Sequence, residues 1–157
     1  MKIGFIGLGI MGESMSWNIV KKHDDTVYVF DFVKEKTELL ASRGAVACSD
    51  SVELARNSDV ILGELDSTKT CIDMSTIDPS VSVEIAEMVK KTGAGFIDAP
   101  VVKSKPAAEA GKLGIYVGGD KETYEAMRPI LLYMGENVKH MGENGKGLVM
   151  KICHNAL

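Results

Sequence analysis

The sequence has no excess of basic residues and no long apolar run. Its formal net charge is −4 at pH 7, which argues against a nucleic-acid-binding surface. No segment approaches the roughly 20 apolar residues that a membrane-spanning helix needs. The N-terminus has the pattern of a strand rather than of a signal peptide. We therefore expect a cytoplasmic protein whose partners include neither nucleic acid nor a membrane.

Cysteines are also few, and they are not paired in the sequence. Cys48, Cys71 and Cys153 are widely spaced and lie in apolar contexts. An odd number of cysteines without a C-x-x-C pair predicts reduced, mostly buried thiols of a cytosolic protein. The three histidines are scattered along the chain, so we expect no metal site.

A glycine-rich turn follows the first predicted strand and opens a helical pattern. Gly7 permits the tight turn, Gly9 lets a pyrophosphate approach the backbone, and Gly12 lets the helix pack close to the strand. The second predicted strand ends at Asp31, nineteen residues after Gly12, where a dinucleotide fold places the acid that binds the adenosine ribose. This arrangement predicts a dinucleotide site. The alternative is an ordinary βαβ unit with a solvated Asp31.

Short apolar strands alternate with helical patterns along most of the 157 residues. Strands are predicted at 2–6, 26–30, 45–48, 59–62, 70–73, 95–97, 114–117 and 138–141, and helices at 11–22, 34–42, 51–57, 80–91, 120–134 and 146–157. The alternation indicates an α/β fold, Rossmann-like and doubly wound, with a mainly parallel sheet between two layers of helices.

One connection is unusually short for this fold. Only residues 63–69 separate the predicted strands 59–62 and 70–73, whereas a parallel crossover needs about 10–12 residues or more. We expect strand 59–62 to be central and strand 70–73 to lie beside it. A bare link would leave the sheet uncovered beside the cofactor, which predicts weak cofactor binding. The alternative is that the sequence omits a segment that the protein contains.

Four blocks of the sequence resemble the β-hydroxyacid dehydrogenase family. They are residues 5–19 (FIGLGIMGESMSWNI), 73–79 (DMSTIDP), 96–101 (FIDAPV) and the G-x-G-x-x-x-K-x-x-x-N pattern of 145–155. The resemblance implies a dinucleotide-binding domain at residues 1–144 and the truncated start of a catalytic, interdomain helix at 145–157, with the all-helical second domain of the family absent. It implies further cofactor contacts at Leu8, Ile10, Met11, Phe32, Ser75 and Thr76.

The last block carries the predicted chemistry. Gly147, Lys151 and Asn155 are four residues apart, so they share one face of a helix. A desolvated lysine has a lowered pKa and can move a proton near neutrality. From the spacing alone, a solvated lysine would be the commoner interpretation. The resemblance assigns proton transfer to Lys151, while Asn155 would bind the substrate and Gly147 would leave space for it.

The substrate loop departs from the pattern of the family. Relatives usually continue the Ala-Pro-Val of residues 99–101 with Ser-Gly-Gly or Ser-Gly-Ser, whereas this sequence has Val102, Lys103 and Ser104. Valine offers no hydroxyl, and a side chain replaces a glycine that allows close approach. Lys103 is either an exposed loop lysine or a positive charge for a substrate carboxylate. Lys103 and Ser104 are therefore the candidate substrate contacts, and Asp98 is expected to fix the loop.

The cofactor is predicted to be NAD. Asp31 repels a 2′-phosphate and accepts hydrogen bonds from ribose hydroxyls. Phe32 stands where relatives that prefer the phosphate commonly carry arginine. Lys34 and Lys36 lie nearby, so NADP binding also stays open.

Two functions remain open at this point. The first is an NAD-dependent oxidoreductase that transfers hydride reversibly between NAD and a small β-hydroxyacid or its semialdehyde. The second is a dinucleotide-binding module without turnover, such as a truncated remnant. Self-association is expected through apolar residues of the C-terminal helix, with Leu148, Ile152 and Leu157 as candidates, because relatives bury that helix against their second domain.

Overall fold

The computed structural model of the protein describes residues 1–60 and 69–156. The strands in this part of the chain are β1 (Ile3–Ile6), β2 (Val27–Phe30), β3 (Val46–Ala47), β4 (Thr70–Asp73), β5 (Gly95–Asp98), β6 (Val101–Val102), β7 (Leu113–Gly119) and β8 (Gly135–Gly142). The helices are α1 (Ile10–Lys22), α2 (Lys34–Ala41), α3 (Ser51–Asn57), α4 (Pro79–Lys90), α5 (Lys105–Glu109), α6 (Lys121–Leu131) and α7 (Lys146–Ala156).

The strands form a mainly parallel sheet. β1, β2 and β3 are parallel neighbours, and so are β4 and β5. Val60 joins the two groups, because it makes parallel bridges to Ile3 and to Thr70. β7 is antiparallel to both β5 and β6, which pair in one register with the same edge of β7. On its other side, β7 is parallel to β8. The predicted α/β, doubly wound fold is confirmed.

Several local predictions need correction. Only Val46–Ala47 forms a strand where residues 45–48 were expected. Helix α5 and strand β6 are additional, and both are too short to show a period in the sequence. Val60 lies between β1 and β4, as expected of strand 59–62. Residues 61–68 lie outside the described residues. They include the end of the predicted strand and most of the short connection, so the uncovered sheet predicted there stays a prediction.

Side-chain caps fix where three of the helices begin. Asp50, Asp78 and Asp120 each accept a backbone N–H from the first turn of α3, α4 and α6, at 2.7 to 3.0 Å. Pro79 opens α4, where a missing N–H costs nothing because that position has no helical partner.

The main core lies between the sheet, α1 and α6, with Ile19, Ile115 and Leu131 buried in it. Ile72 packs against this core, whereas its neighbour Cys71 belongs to a separate cluster with residues of α4. Successive residues of a strand point to opposite faces, so α4 covers the other face of the sheet. The longest helix, α1, has 13 residues, and no helix in the described part of the chain is long and apolar enough to span a membrane.

The cysteines follow the prediction in part. Cys48 and Cys71 are buried, and burial raises their pKa values to about 11 and about 12. Both thiols therefore stay protonated and act as small apolar side chains. Cys153 is the exception among the mostly buried thiols that the sequence predicts, since it is exposed on α7.

Candidate functional site

The glycine turn between β1 and α1 has the geometry of an anion site. Gly7 adopts φ +91°, a conformation that favours glycine. A β-carbon at Gly12 would collide with the carbonyl oxygen of Gly7, so only glycine lets α1 pack this closely against the turn. At Gly9, by contrast, the space is open. The first N–H groups of α1 have no partner within the helix and lie at its positive end, where a phosphate would bind.

Asp31 joins the end of β2 to this turn. Its carboxylate accepts the N–H of Leu8 at 2.6 Å and that of Val33 at 2.8 Å. The N–H groups of Val33 and Leu8 hold the pKa of Asp31 below its ordinary value. Asp31 is therefore ionised and half-exposed beside the turn. Leu8 presents only its backbone to the turn, because its side chain is fully buried in the core.

Phe32 stands next to the acid and points outward. Its side chain is 94% exposed, the highest fraction of any large apolar residue in the described part of the chain. Its ring meets the edge of Phe30 at a centroid distance of 5.4 Å. Ile10 is exposed as well. Both side chains offer apolar surface near the turn, and neither is part of the buried core.

Lys151 of α7 reaches the segment that follows β4. Its Nζ donates a hydrogen bond to Oγ1 of Thr76 at 2.6 Å. The side chain is half-buried, and this burial lowers the pKa of Lys151. On the same segment, the backbone N–H of Ser75 donates to the carboxylate of Asp73 at 2.9 Å, and Ser75 is exposed. Two of the predicted blocks, distant in sequence, therefore meet here.

A cavity of about 500 Å³ joins these features. It lies at the carboxyl ends of β1 and β4, where parallel α/β sheets bind ligands, and it continues inward between α1 and α6. Among its lining residues are Gly7, Met11, Gly12, Ser75, Thr76 and Lys151. A second cavity of about 470 Å³ lies at the opposite ends of β4 and β5, around Thr70 and Gly95. That cavity touches none of the predicted site residues.

Asp98, the last residue of β5, is fully buried beneath the start of α7. Its carboxylate accepts the N–H of Gly145 at 2.6 Å and that of Leu148 at 3.2 Å. Burial raises the pKa of Asp98, and the backbone N–H groups around the carboxylate oppose that rise. Asp98 was expected to fix the substrate loop, whereas it holds the helix that carries Lys151.

Gly147 is buried against β7. A β-carbon there would collide with the carbonyl oxygen of Tyr116 and would lie 2.7 Å from Oδ2 of Asp98. The glycine therefore has a packing reason, and no open space surrounds it. A contact between Gly147 and substrate stays a prediction.

The substrate loop uses Lys103 in an unexpected way. Lys103 has φ +80° and is the one non-glycine residue with positive φ among residues 1–60 and 69–156. Its Nζ pairs with Glu136 at 3.0 Å and donates to the carbonyl of Lys112 at 2.9 Å. The charge is therefore directed at β8. Ser104 is exposed and precedes α5, and the substrate contacts predicted for both residues are untested.

Helix α7 also carries the remaining predicted residues. Asn155 is exposed, and His154 meets Tyr116, with 3.2 Å between Nδ1 and the hydroxyl oxygen. The prediction that Leu148 is exposed was wrong, since it is 1% exposed. Val149, Met150 and Ile152 are the exposed apolar residues of the helix. Leu157 lies outside the described residues.

Sequence reasoning missed one residue that ties the site together. Asn18 of α1 is buried, and its Nδ2 donates to the carbonyl of Ala108 at 2.7 Å and to that of Ser14 at 3.0 Å. This hydrogen bond to Ala108 joins α1 to α5, the helix that follows the predicted substrate loop. The signal available was the position of Asn18 within the first family block, where a polar residue interrupts an apolar helix face.

This fold and this cavity define a Rossmann-type domain, and comparison with known proteins identifies its family. Residues 2–70 and 59–142 match the family described as the NAD-binding domain of 6-phosphogluconate dehydrogenase. The chain belongs to that family.

Several of the proteins that the chain resembles are named as hydroxyacid dehydrogenases. It is 34% identical to 2-(hydroxymethyl)glutarate dehydrogenase of Eubacterium barkeri, in an alignment that covers 100% of this chain and 58% of the relative. The structure of Mycobacterium tuberculosis 3-hydroxyisobutyrate dehydrogenase, determined with L-serine, has a TM-score of 0.90 and 29% identity, covering 98% of this chain and 58% of that one. A structure of Psf3 in complex with NADP+ and 2-OPP has a TM-score of 0.89 and 28% identity, covering 98% and 61%.

The comparisons also bear on the short connection. The chain spans just over half the length of the curated relatives it matches. The alignment with the Eubacterium barkeri enzyme has 177 positions, twenty more than the 157 residues of this chain. The family match falls into two segments that overlap at residues 59–70. The relatives therefore carry residues without a counterpart here, and the break in the match coincides with the short connection.

Proposed function

We propose that this chain binds NAD and supports reversible hydride transfer between NAD and a small β-hydroxyacid or its semialdehyde. The observation that carries the proposal is the 2.6 Å hydrogen bond from Lys151 to Thr76. It brings the one half-buried lysine of α7 into the same cavity as the glycine turn. A proton-transfer group and a dinucleotide turn in one cavity are what alcohol oxidation requires.

The described residues fit the dinucleotide. Open space at Gly9 and the N–H groups of Ile10 and Met11 would receive the pyrophosphate, and Asp31 would accept hydrogen bonds from the adenosine ribose. Thr76 and Ser75, at the other end of the cavity, would contact the nicotinamide ribose. When bound, the nicotinamide supplies the hydride acceptor.

Lys151 would carry the proton. In the oxidation direction, its neutral amine would accept the hydroxyl proton of the substrate. The carbon that bears this hydroxyl would lose its hydrogen as hydride. The products would be a carbonyl compound, the reduced cofactor that has taken up the hydride, and a lysine ammonium, which Thr76 is placed to hold through its hydroxyl oxygen. The lowered pKa of Lys151 increases the fraction of neutral amine near neutral pH. Asn155 lies one turn further along the helix and would orient the substrate.

The preferred cofactor is NAD rather than NADP. The ionised Asp31 stands beside the turn with its pKa lowered, and it would repel a 2′-phosphate. Phe32 offers an exposed ring instead of a cation. Support for a nicotinamide dinucleotide in general comes from the family and from a relative solved with NADP+.

The test is a dehydrogenase assay over a panel of 3-hydroxyacids with saturating NAD. We expect turnover by the wild type and a loss of about 10²- to 10⁴-fold in Lys151→Met, the range in which removal of a general base falls. The matched control is Lys146→Met, because Lys146 is an exposed lysine of the same helix. Equal activity in the two variants would contradict the role of Lys151.

A second candidate function is dinucleotide binding without turnover. It is favoured by the substrate loop, where the charge of Lys103 is engaged by Glu136 and Val102 offers no hydroxyl. Tight NAD binding with no turnover of any 3-hydroxyacid would select this candidate.

Self-association through α7 is part of the proposal. Val149, Met150 and Ile152 are exposed on this helix, and neighbouring exposed apolar side chains favour contact with a partner. A second copy of the chain is the expected partner. The cytosolic location predicted from the sequence also stays a proposal.

A further inference from the structure

The N-terminus of α7 is capped from outside the helix. The residue before the helix, Gly145, has φ +85° and no side chain, so it cannot accept the free N–H groups of the first turn. Asp98 on β5 takes that place, since its carboxylate accepts the N–H groups of Gly145 and Leu148 and is also bonded to that of Gly147. A carboxylate here also complements the positive end of the helix.

Two glycines give the carboxylate its room. A β-carbon at Gly118 would lie 2.6 Å from Oδ1 of Asp98, and one at Gly147 would lie 2.7 Å from Oδ2. Both distances are too short for real atoms. Gly118 belongs to β7 and Gly147 to α7, so the carboxylate is held where three elements converge.

Lys151 is one helical turn away from the capped residues. It follows Leu148 by three positions and Gly147 by four, so the three lie on one side of the helix. The axial position and rotation of the first turn therefore determine where the lysine side chain leaves the helix. A helix without its cap frays at that turn, because buried N–H groups without an acceptor are costly.

We propose that Asp98 is a positioning residue for Lys151, which it holds against Thr76 by anchoring the first turn of α7 to the end of β5. The proposal rests on the proposed function only in the proton-transfer role given to Lys151. The anchoring is a property of the protein without substrate, so it can be tested whether or not the chain turns over.

The test measures the pKa of the Lys151 side chain in the full-length chain. Lysine labelled with ¹³C at Cε is followed by NMR through a pH titration, and the Lys151→Met variant assigns the signal. The variants are Asp98→Ala, which removes both acceptor oxygens, and Asp98→Asn, which keeps one. The matched control is Asp120→Ala, which removes the cap of α6 (bonded to Thr123 at 3.0 Å) without touching α7.

We expect the wild-type Lys151 to titrate below the exposed lysines, since its burial lowers its pKa. In Asp98→Ala the pKa should rise into the range of the exposed lysines, and in Asp98→Asn it should lie between the two. Asp120→Ala should leave it unchanged, even if it lowers the melting temperature as much as Asp98→Ala does. The pattern separates positioning from general loss of stability.

A folded Asp98→Ala variant with a wild-type Lys151 pKa would overturn the proposal. If Asp98→Ala does not fold, Asp98→Asn decides in the same way: a raised pKa supports the proposal and an unchanged pKa overturns it. A chain without dehydrogenase activity whose Lys151 pKa still responds to Asp98 would retain the positioning and refute the proposed function. A chain that has dehydrogenase activity but whose Lys151 pKa does not respond to Asp98 would support the proposed function and overturn the positioning role.

Discussion

Oδ2 of Asp31 accepts the backbone N–H of Leu8 at 2.6 Å, which fastens the end of β2 to the glycine turn after β1. The acid predicted to bind the ribose thus also fixes the loop predicted to bind the pyrophosphate. Its other oxygen accepts the N–H of Val33 at 2.8 Å. Changes at Asp31 are therefore expected to affect both the selection of cofactor and the shape of the turn.

The stability of the protein should depend on the ionisation of Asp31 in acid. Its folded-state pKa is lowered, so its contribution to stability is present above the unfolded pKa and is lost as pH falls through the folded pKa. Asp31→Asn should flatten the fall in melting temperature below about pH 4. Asp24→Asn is the control, because Asp24 is exposed in the turn before β2. An unchanged acid profile in Asp31→Asn would contradict this account.

Cofactor preference should invert when the acid is replaced and a cation is added. Calorimetric titration of the wild type should give tighter binding of NAD than of NADP. Asp31→Ser combined with Phe32→Arg should favour NADP, since the repulsive carboxylate is gone and an arginine can pair with the 2′-phosphate. Each 1.4 kcal/mol of relative affinity is about tenfold, and we expect at least that change. Phe32→Leu is the control for loss of the ring alone, and tighter NADP binding by the wild type would refute the preference.

Two alanine substitutions in the glycine turn should differ in their effect on folding, because only one of them meets a steric clash. Gly9→Ala should fold normally, because the space around Gly9 is open and its φ of −66° suits alanine, yet the methyl group would occupy the place of the pyrophosphate and abolish NAD binding. Gly12→Ala should lose about 1–3 kcal/mol of stability, as overpacking does, because its methyl group meets the Gly7 carbonyl. Denaturant unfolding and NAD titration of both variants measure this. A Gly9→Ala variant that binds NAD normally would count against the assigned site.

The contact of Lys151 with Thr76 makes a prediction about pH. A hydrogen bond to the ammonium favours the charged form, so Thr76→Val should lower the pKa of Lys151 further and shift the acid limb of the pH–rate profile to lower pH. Ser75→Ala is the matched control at saturating NAD, since the hydrogen bond of Ser75 to Asp73 runs through its backbone N–H, which alanine keeps. The profile of Thr76→Val should be compared at saturating NAD. An acid limb that stays in place would show that this contact does not govern the lysine.

Self-association is tested on the exposed face of α7. Ile152 is 52% exposed, and Ile152→Glu should shift sedimentation of the chain toward monomer. Val52→Glu serves as the control, because Val52 is an exposed apolar residue of α3. A wild type that sediments as a monomer at high concentration would contradict the proposed contact.

Local patterns in the sequence predicted the fold and the glycine turn, and the resemblance to the family singled out Lys151, whose role stays a prediction. The glycine spacing, the strand that ends at Asp31 and the helical spacing of Lys151 all depend on neighbours within a few turns. The capping of α7 by Asp98 was missed because Asp98 and Gly145 are 47 residues apart. Periodicity also could not show which side of α7 packs on β7, so Leu148 was predicted to be exposed although it is buried.

Hydride transfer is tested most directly with a 3-hydroxyacid deuterated at the carbon that bears the hydroxyl. The substrate is incubated with NAD and the protein, and the reduced cofactor is analysed by mass spectrometry. The account predicts deuterium in the cofactor with the wild type and almost none with Lys151→Met, although both bind NAD. If the wild type is saturated with NAD and leaves the cofactor free of deuterium with every 3-hydroxyacid of the panel, the proposed oxidoreductase function is contradicted.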